Sequence, residues 1–376
     1  MAGYIFSMND IQAMEYSIKE GIYSTNLNLP KNQIWGVHHE GTFADYITMK
    51  KGDNIFFFHD RKIYGIGELI NIKGDCKFLN FPDADLPNNF TFKEIRHKMI
   101  LDFSSKSIQN RMLCTFKGSP YFFKNGIDMD EVLSSNPEKF RMLRSFWKLS
   151  FIKIDDSENK ALIDIILKNN EKNLSSGKYT YTNSHHIHNR INYLVNSDYK
   201  VSSDNIMYNC SSSTGYLKHE MALESGILDY ISNKKTKIFG YWDYLSHQVV
   251  ASPFKPIDYM DKMDIFGYKY IPNFKTISKY LVLEIKKDKA TIEDINQVMK
   301  YVDWVNQEYS YGDYNMIEAF LVAHDFPQVV IDAKPDITIR NYIKTRRPPV
   351  PKKWSNLRLI KYNYNPTNKQ LHFREI

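Results

Sequence analysis

The sequence has 376 residues, a net charge of +7, 43% hydrophobic residues and 14% aromatic residues. This apolar content excludes a wholly disordered chain, which lacks the apolar surface needed to offset the entropy cost of ordering. The length is sufficient for two domains. No apolar run approaches the roughly 18 residues of a membrane span, and the start MAGYIFSMNDIQ lacks the pattern of a secretion signal. We therefore expect no membrane segment and a cytoplasmic location.

Three cysteines are widely separated in the sequence: Cys76, Cys114 and Cys210. They form no Cys-x-x-Cys pair, so we expect neither a disulfide scaffold nor a cysteine-based zinc site. A reducing compartment is consistent with this cysteine usage.

The positive charge is concentrated at one end of the chain. From Arg340 onward there are ten Lys and Arg residues but a single acidic residue, Glu375. Such a segment suits a polyanion, because each neutralised phosphate releases condensed counterions. We assign contacts with the DNA backbone to four of these residues: Arg346, Arg347, Lys352 and Lys353. The alternative is a solvated basic end that keeps the protein soluble. Interleaved aromatic residues would either stack on bases or belong to a core strand: Tyr342, Trp354, Tyr362 and Tyr364.

Residues 1–170 are predicted to form a mixed domain of strands and helices. KKGDNIFFFHD (50–60) and the following RKIYGIGELINI predict two strands joined by a tight turn. Gly65 and Gly67 indicate a bulge or a close backbone approach. SFWKLSFIKI predicts another strand, and DDSENKALIDIILKNNEK predicts a helix opened by an acidic first turn.

The segment 171–213 is rich in Ser, Asn, Thr and Tyr, and its apolar periodicity is weak. We predict a linker or an excursion between two domains. It contains a histidine cluster: His185, His186 and His188. Three histidines in four residues could bind a metal, but no second cluster at ligand spacing accompanies them, so we predict an exposed polar loop.

Residues 214–376 are predicted to form an α/β domain. GYLKHEMALESGILDYISNK predicts a helix, and MDIFGYK (263–269) and KYLVLEIKK (279–287) predict strands. TIEDINQVMKYVDWVNQE (291–308) has an N-cap threonine and the apolar spacing of an amphipathic helix. MIEAFLVA (316–323) is a continuous apolar run, typical of a strand buried on both faces.

Chemistry is predicted at the strand KYLVLEIKK. Glu284 and Lys286 are two residues apart, so they project from the same face of the strand. A buried charge is costly unless it is paired or coordinates a metal. Asp264 opens the preceding strand and supplies a second carboxylate. Two carboxylates suit Mg²⁺, which Mn²⁺ could replace, and such a metal lowers the pKa of a bound water. The lysine can orient that water and neutralise charge in the transition state.

The flanking helices add polar side chains to this pattern. Gln297 and Tyr301 are four apart on the following helix and therefore share a face. Glu220 and Glu224 are four apart on the preceding helix, so either places an acid on that helix. A lone Glu-x-Lys is usually a surface ion pair. The ordered set of helix acid, aspartate strand, Glu-x-Lys strand and Gln-x-x-x-Tyr helix predicts a nuclease site.

The stretch MDIFG…KYLVLEIKKDKATIEDINQVMKYVDWV resembles the PD-(D/E)XK nuclease superfamily, and within it nuclease domains of the NucS/EndoMS type. EAFLVAHDF and RLIKYNYNPTNKQLHFRE match the closing strands of that type. The resemblance covers 214–376 and implies a PD-(D/E)XK α/β core. It implies that Asp264 and Glu284 bind metal and that Lys286 assists the water. Gln297 and Tyr301 would support the site or the DNA. For the first-helix acid of the family we select Glu220, with Glu224 as the alternative.

The stretch IWGVHHEGTFADYITMKKGDNIFFFHDRKIYGIGELI is similar to EVE domains, the PUA-like group related to YTH readers. The resemblance covers about residues 1–170 and implies a PUA-like mixed β-barrel with helices. Such domains hold a flipped, often modified base between aromatic side chains. Pocket candidates are Trp35 first, then Trp147, then Phe57, Phe58 and His59. Phenylalanines in an alternating strand more often pack in a core. The commonest EVE pattern has Arg-Asn where this chain has His38-His39.

A base reader joined to a metal nuclease implies a modification-dependent, type IV-like restriction endonuclease. It would cut double-stranded DNA near a modified base, such as methylated adenine or cytosine or a bulkier phage modification, and would act as a homodimer. A repair nuclease for mismatched or branched DNA is the first alternative. A non-catalytic RNA- or DNA-binding protein is the second.

Overall fold

The computed structural model describes residues 1–118, 122–145, 151–178, 180–181, 184–251 and 261–376. The chain divides into two compact units. The first comprises Met1–Ile34 and Asp45–Ser202, and the second comprises Trp35–Ala44 and Ser203–Ile376. The prediction of a mixed protein of strands and helices with two domains is confirmed. No helix in the described part of the chain has the length and apolar character needed to cross a membrane.

The first unit is built on one eight-stranded sheet with the order β2-β6-β4-β3-β1-β8, in which β5 pairs with β6 and β7 pairs with β4. Only β1 and β3 pair in parallel among these strands. The strands are β1 (Gly3–Ser7), β2 (Ile22–Asn26), β3 (Asn54–His59), β4 (Lys62–Leu69), β5 (Lys77–Leu79), β6 (Asn110–Gly118), β7 (Ile127–Asp128) and β8 (Phe151–Ile154). The helices are α1 (Ile11–Glu20), α3 (Phe92–Ile95), α4 (Met129–Ser135), α5 (Arg141–Ser145), α6 (Asp156–Asn169) and α7 (His186–Leu194), and α2 (Val37–Ile47) crosses the boundary between the units in sequence.

The predicted hairpin over residues 50–69 is present as β3 and β4. The consecutive residues Phe56 and Phe57 of β3 are both fully buried, and Phe57 packs against Phe6 and Phe116. A Cβ atom added at Gly65 would lie 2.5 Å from a ring carbon of Phe56, so this strand position accepts no side chain. The register of β3 and β4 also shifts between Ile55 and Phe57, so the prediction of a bulge or a close approach at this glycine is confirmed.

The second unit is built on a six-stranded sheet with the order β16-β15-β12-β11-β10-β9, and β13 and β14 form a separate two-stranded ribbon. β11, β12 and β15 are parallel, whereas β9, β10 and β11 are antiparallel. The strands are β9 (Tyr244–Val250), β10 (Lys262–Tyr270), β11 (Ile277–Lys289), β12 (Ile317–Asp325), β13 (Arg340–Arg346), β14 (Pro349–Trp354), β15 (Leu357–Asn365) and β16 (Gln370–Glu375). The helices are α8 (Asp204–Cys210), α9 (Glu220–Ser232), α10 (Ile292–Glu308) and α11 (Gln328–Thr338).

The connection from β11 through α10 to β12 forms the centre of this unit. Thr291 caps α10, and its hydroxyl accepts a hydrogen bond from the Asp294 amide, while the Asp294 carboxylate accepts one from the Thr291 amide at 2.7 Å. The apolar stripe of α10 is buried against the sheet, as its spacing predicts. β12 follows in parallel with β11, which requires a crossover of this length.

The C-terminal aromatic residues separate into two groups. Trp354, Tyr362 and Tyr364 are each no more than 2% exposed, so they belong to the core and are not available to stack on bases. The Trp354 indole donates a hydrogen bond to the Ile317 carbonyl at 3.1 Å. Only Tyr342, in β13, remains partly accessible.

The structure corrects the predicted linker at 171–213. Residues up to 202 belong to the first unit and those from 203 to the second. In α7, Ile187 and Ile191 are buried in a core cluster of the first unit, because they lie four residues apart on one helix face. His188 is also buried, and its Nε2 lies 2.8 Å from the Gly21 carbonyl, whereas His185 and His186 are exposed. The cluster therefore lies at the start of α7 and not in a loop, and one of its three histidines belongs to the core.

Candidate active site

Neighbouring antiparallel strands bring Asp264 and Glu284 together. Ile265 of β10 is paired with Leu283 of β11. Asp264 directly precedes Ile265 and Glu284 directly follows Leu283, so the two acids are neighbours across the antiparallel strands. The Ile285 amide donates a hydrogen bond to Asp264 Oδ2 at 2.7 Å, which fixes the aspartate against β11. The sequence prediction that these two strands present their acids at one place is therefore consistent with the geometry.

A hydrogen-bonded chain runs from Glu284 to the following helix. Lys286 Nζ donates to Glu284 Oε1 at 2.9 Å and to Gln297 Oε1 at 3.3 Å. The Gln297 amide donates to the Tyr301 hydroxyl at 2.9 Å. Gln297 and Tyr301 therefore face the strand, as their spacing of four residues predicts, and they hold the lysine in place.

Burial dominates the electrostatics of the cluster. It raises the pKa of Glu284 to about 7, although the positive charge of Lys286 lowers that pKa. Burial, and then the charges of Glu284 and Glu224, raise the pKa of Asp264 well above its usual range. Burial alone would lower the pKa of Lys286, but the neighbouring Glu284 carboxylate raises this pKa above its ordinary value. The lysine therefore stays charged, whereas the two acids hold protons more readily than ordinary carboxyls.

Both candidate helix acids border this pair, and the alternative Glu224 shares a hydrogen-bond partner with Asp264. Gln248 Nε2 donates to Glu224 Oε2 and to Asp264 Oδ1, both at 3.2 Å, so one amide joins the two acids. Glu224 is 2% exposed. Glu220 instead accepts a hydrogen bond from the Lys287 amide at 3.2 Å and lies near enough to Glu284 to raise its pKa. Both glutamates border the site from the same helix face.

Sequence reasoning missed three polar residues at the site: His247, Gln248 and Asp294. His247 Nδ1 lies 3.3 Å from Glu224 Oε1, and the Asp294 carboxylate lies 3.6 Å from Lys286 Nζ. Gln248 has a φ of 52°, a left-handed conformation that costs a residue other than glycine about 1 kcal/mol or more. Asp294 is visible in the sequence as part of a capping box, whereas His247 and Gln248 carry no recognisable pattern.

One buried oxygen of the cluster lacks a protein partner. Glu284 is 1% exposed and its Oε2 accepts no hydrogen bond from the residues that the structure describes. An orphaned carboxylate oxygen is costly in a buried site unless a proton or a cation satisfies it. With Asp264 beside it, the donor set is made of carboxylate oxygens, which are the ligands that Mg²⁺ and Mn²⁺ prefer. These residues therefore fit a hard divalent cation.

The described candidates for the base pocket belong to different compact units of the chain. Trp35 belongs to the second unit, where it is 1% exposed and packs against His39 and Phe43, so its position in a pocket of the first unit is corrected. Its amide donates to Asn209 Oδ1 at 3.2 Å. His59 ends β3, with Nδ1 2.8 Å from the Met8 carbonyl. Trp147 lies outside the described residues.

The first unit has an open cavity of about 610 Å³ that the sequence did not indicate. Its walls include Phe81, Ile100 and Tyr199, and the exposed residues Lys98 and Lys200 also line it. Part of the wall comes from α7 and the loop after it, inside the segment predicted as a linker. The volume lies within the range of small-molecule pockets and is large enough for a nucleoside.

A separate cluster in the second unit joins Glu40, Cys210 and His219, whose donor atoms lie within 4.8 Å of one another. His219 Nδ1 is 2.9 Å from Glu40 Oε1, and the His219 amide donates to Cys210 Sγ at 3.2 Å. Burial raises the pKa of Cys210 to about 11, so it is a neutral thiol at physiological pH. The three groups satisfy one another by hydrogen bonding, and we assign them no metal.

The four basic residues assigned to DNA phosphates lie on the ribbon of β13 and β14, two at its tip and two near its root. Arg346 ends β13, Arg347 follows it in the turn, and Lys352 and Lys353 lie in β14. All four are exposed. They are therefore available to an external polyanion.

No family model matches this sequence, and no match is found among curated proteins. Among solved structures, the chain is similar to a hypothetical protein from Leishmania major, with 14% identity, a TM-score of 0.28 and coverage of 46% of this chain and 96% of that one. It is similar to the YTH domain of Zygosaccharomyces rouxii MRB1, solved in complex with N6-methyladenosine RNA, with 9% identity, a TM-score of 0.27 and coverage of 44% and 85%. It is also similar to the Pho92 YTH domain in complex with m6A, with 11% identity, a TM-score of 0.25 and coverage of 44% and 82%. TM-scores this low do not establish a shared fold.

Proposed function

We propose that the protein is a metal-dependent DNA endonuclease, and that its active site is the cluster of Asp264, Glu284 and Lys286. The observation that carries this proposal is the buried pair of carboxylates with one orphaned oxygen beside a charged lysine. The residue order along the chain supports it, because the same set in the same order resembles PD-(D/E)XK nucleases.

In this proposal Asp264 and Glu284 would hold Mg²⁺ or Mn²⁺, with Glu224 at the border of the site. The cation would supply charge stabilisation at the phosphate and lower the pKa of a bound water. Lys286 Nζ, fixed by Gln297 and Tyr301, would orient the attacking water and place positive charge beside the phosphate oxygens. The Gln248 side-chain amide would hold Glu224 and Asp264 in position, because it donates a hydrogen bond to each of them.

We propose further that the first unit selects a modified base and that the second cuts nearby, as a homodimer on duplex DNA. The support is the sequence resemblance of residues 1–170 to base-reading domains. The cavity lined by Phe81 and Tyr199 has room for a flipped base. It replaces the surroundings of Trp35 as the proposed base-binding pocket. This combination defines a modification-dependent restriction endonuclease of the type IV kind.

The test is cleavage of matched plasmid DNAs in Mg²⁺ that share one sequence and are unmodified, adenine-methylated, cytosine-methylated or hydroxymethylated. We expect cutting of at least one modified DNA and about 10²-fold slower cutting of the unmodified DNA, because flipping and reading a base select at the level of about 3 kcal/mol. Addition of EDTA should stop all cutting, since the carboxylates alone supply no electrophile.

Mismatched and branched duplexes serve as controls in the same assay. Cleavage of only these substrates would replace the restriction proposal with a repair nuclease. Binding without cleavage in Mg²⁺ and in Mn²⁺ would contradict the endonuclease proposal and favour a nucleic-acid-binding protein.

A further inference from the structure

The ribbon of β13 and β14 is anchored at one end and exposed at the other. At its base, the Arg340 guanidinium forms two hydrogen bonds with the Asp303 carboxylate, at 2.8 and 3.0 Å. Opposite Arg340 in the ribbon, Trp354 is 2% exposed and bonded to the Ile317 carbonyl. Beyond Tyr342 every residue as far as Lys353 is exposed. The ribbon is therefore an arm with a fixed root.

The arm carries positive charge on both of its faces. Tyr342 is paired with Lys352 and Asn341 with Lys353, and consecutive residues of a strand point to opposite faces. Lys352 and Lys353 therefore project from different sides of the ribbon, while Arg346 and Arg347 lie at its tip. A ribbon that lay flat on a polyanion would need basic residues on only one face.

Sequence features of the arm argue against a protein strand as its partner. Residues 340–354 include six basic residues and no acidic residue. Pro349 and Pro351 lie in β14 and supply no backbone N–H, which blocks the addition of a further strand at that edge. Among the described residues, Arg340 is paired with Asp303, and no ion pair is found for the other five basic side chains.

These observations lead us to propose that the ribbon enters the major groove of duplex DNA, with its two charged faces toward the phosphates of the two groove walls. The strands of a ribbon are about 4.8 Å apart, and the major groove is about 12 Å wide and admits a two-stranded ribbon. The inference rests on the proposed function in taking DNA as the partner, and it adds how the chain holds that DNA.

The test measures binding in Ca²⁺ instead of Mg²⁺, so that binding is read without hydrolysis. The probe is a modified duplex that the wild type cuts in Mg²⁺ or, if none is cut, a mixed-sequence duplex. Dimethyl sulfate reports protection of guanine N7, which lies in the major groove. The wild type should protect guanines, and the double variant Arg346→Ala/Lys352→Ala should lose that protection. Its slope of log binding constant against log salt should fall by about 2, because two phosphate contacts are removed.

The matched control is Lys237→Ala/Lys275→Ala, which removes two exposed lysines of the same unit that are not part of the ribbon. It should retain the footprint and the slope. An unchanged guanine footprint in the ribbon variant, or a wild-type complex without N7 protection, would overturn the inference. Cleavage in Mg²⁺ by a wild type that gives no N7 protection would leave the nuclease proposal intact and reject only the groove-binding arm.

Discussion

Replacing Lys286 by alanine is expected to lower the rate of DNA cleavage by about 10³-fold. The ammonium group lies 2.9 Å from Glu284 and is the positive charge that would face the phosphate. Glu284→Gln should have at least as large an effect, because it keeps the shape of the side chain but removes the charge that would hold the metal. Both rates are measured under single-turnover conditions with the protein in excess, so that product release does not mask the chemical step.

Lys289→Ala is the control, since Lys289 lies on the same strand with 71% of its side chain exposed. It should cut at the wild-type rate. The DNA affinity of Lys286→Ala in Ca²⁺ should remain within a few-fold of wild type, because the substitution removes one charge of the active site and not the basic ribbon. Cleavage within tenfold of wild type by Lys286→Ala or Glu284→Gln would remove the cluster from the active site.

The metal-free protein is expected to lose stability as the pH rises from about 5 to 7.5. Burial raises the pKa of Glu284 to about 7 from an ordinary 4.5, so between these values the folded state binds more protons than the unfolded state. The free energy of unfolding then falls with rising pH and levels off above the folded pKa. Asp264, whose pKa burial also raises, adds to the same trend.

Mg²⁺ should reverse this loss, because a cation replaces the protons that the two carboxyls otherwise hold. Thermal melting at pH 5.5 and 7.5 measures it, and we expect Mg²⁺ to raise the melting temperature by about 2–6 °C at the higher pH and by less at the lower one. Glu284→Gln should flatten the pH trend and remove the effect of Mg²⁺. Glu293→Gln, an exposed residue of the first turn of α10, should behave as wild type. Equal stabilisation by Mg²⁺ in the Glu284 variant would place the cation elsewhere.

Local patterns predicted the centre of the second unit well. The apolar spacing and the N-cap threonine placed α10 to within a residue, and the period of two placed Glu284 and Lys286 on one strand face. These features depend only on residues close together in the chain, so they can be predicted from one sequence. The choice between Glu220 and Glu224 is different, because both lie on the same helix face and only the approach of Gln248 from β9 separates them.

Other parts of the fold depend on contacts between distant residues. Nothing in the segment around Trp35 indicates that it packs with residues beyond 203, and its polar contacts include Asn209. The polar composition of residues 171–213 concealed two short helices, since only a few apolar side chains in each are buried. Ile187 and Ile191 show the helical spacing, but too few such residues surround them for the pattern to be recognised.

The most direct test of the account is the position of Mn²⁺ in crystals of the protein, located by its anomalous scattering. We expect a peak in contact with Asp264 and with Glu284 Oε2, and the same map would show whether Glu224 or Glu220 completes the site. The absence of a peak at these carboxylates, or a peak confined to Glu40, Cys210 and His219, would contradict a metal-dependent nuclease site at this cluster.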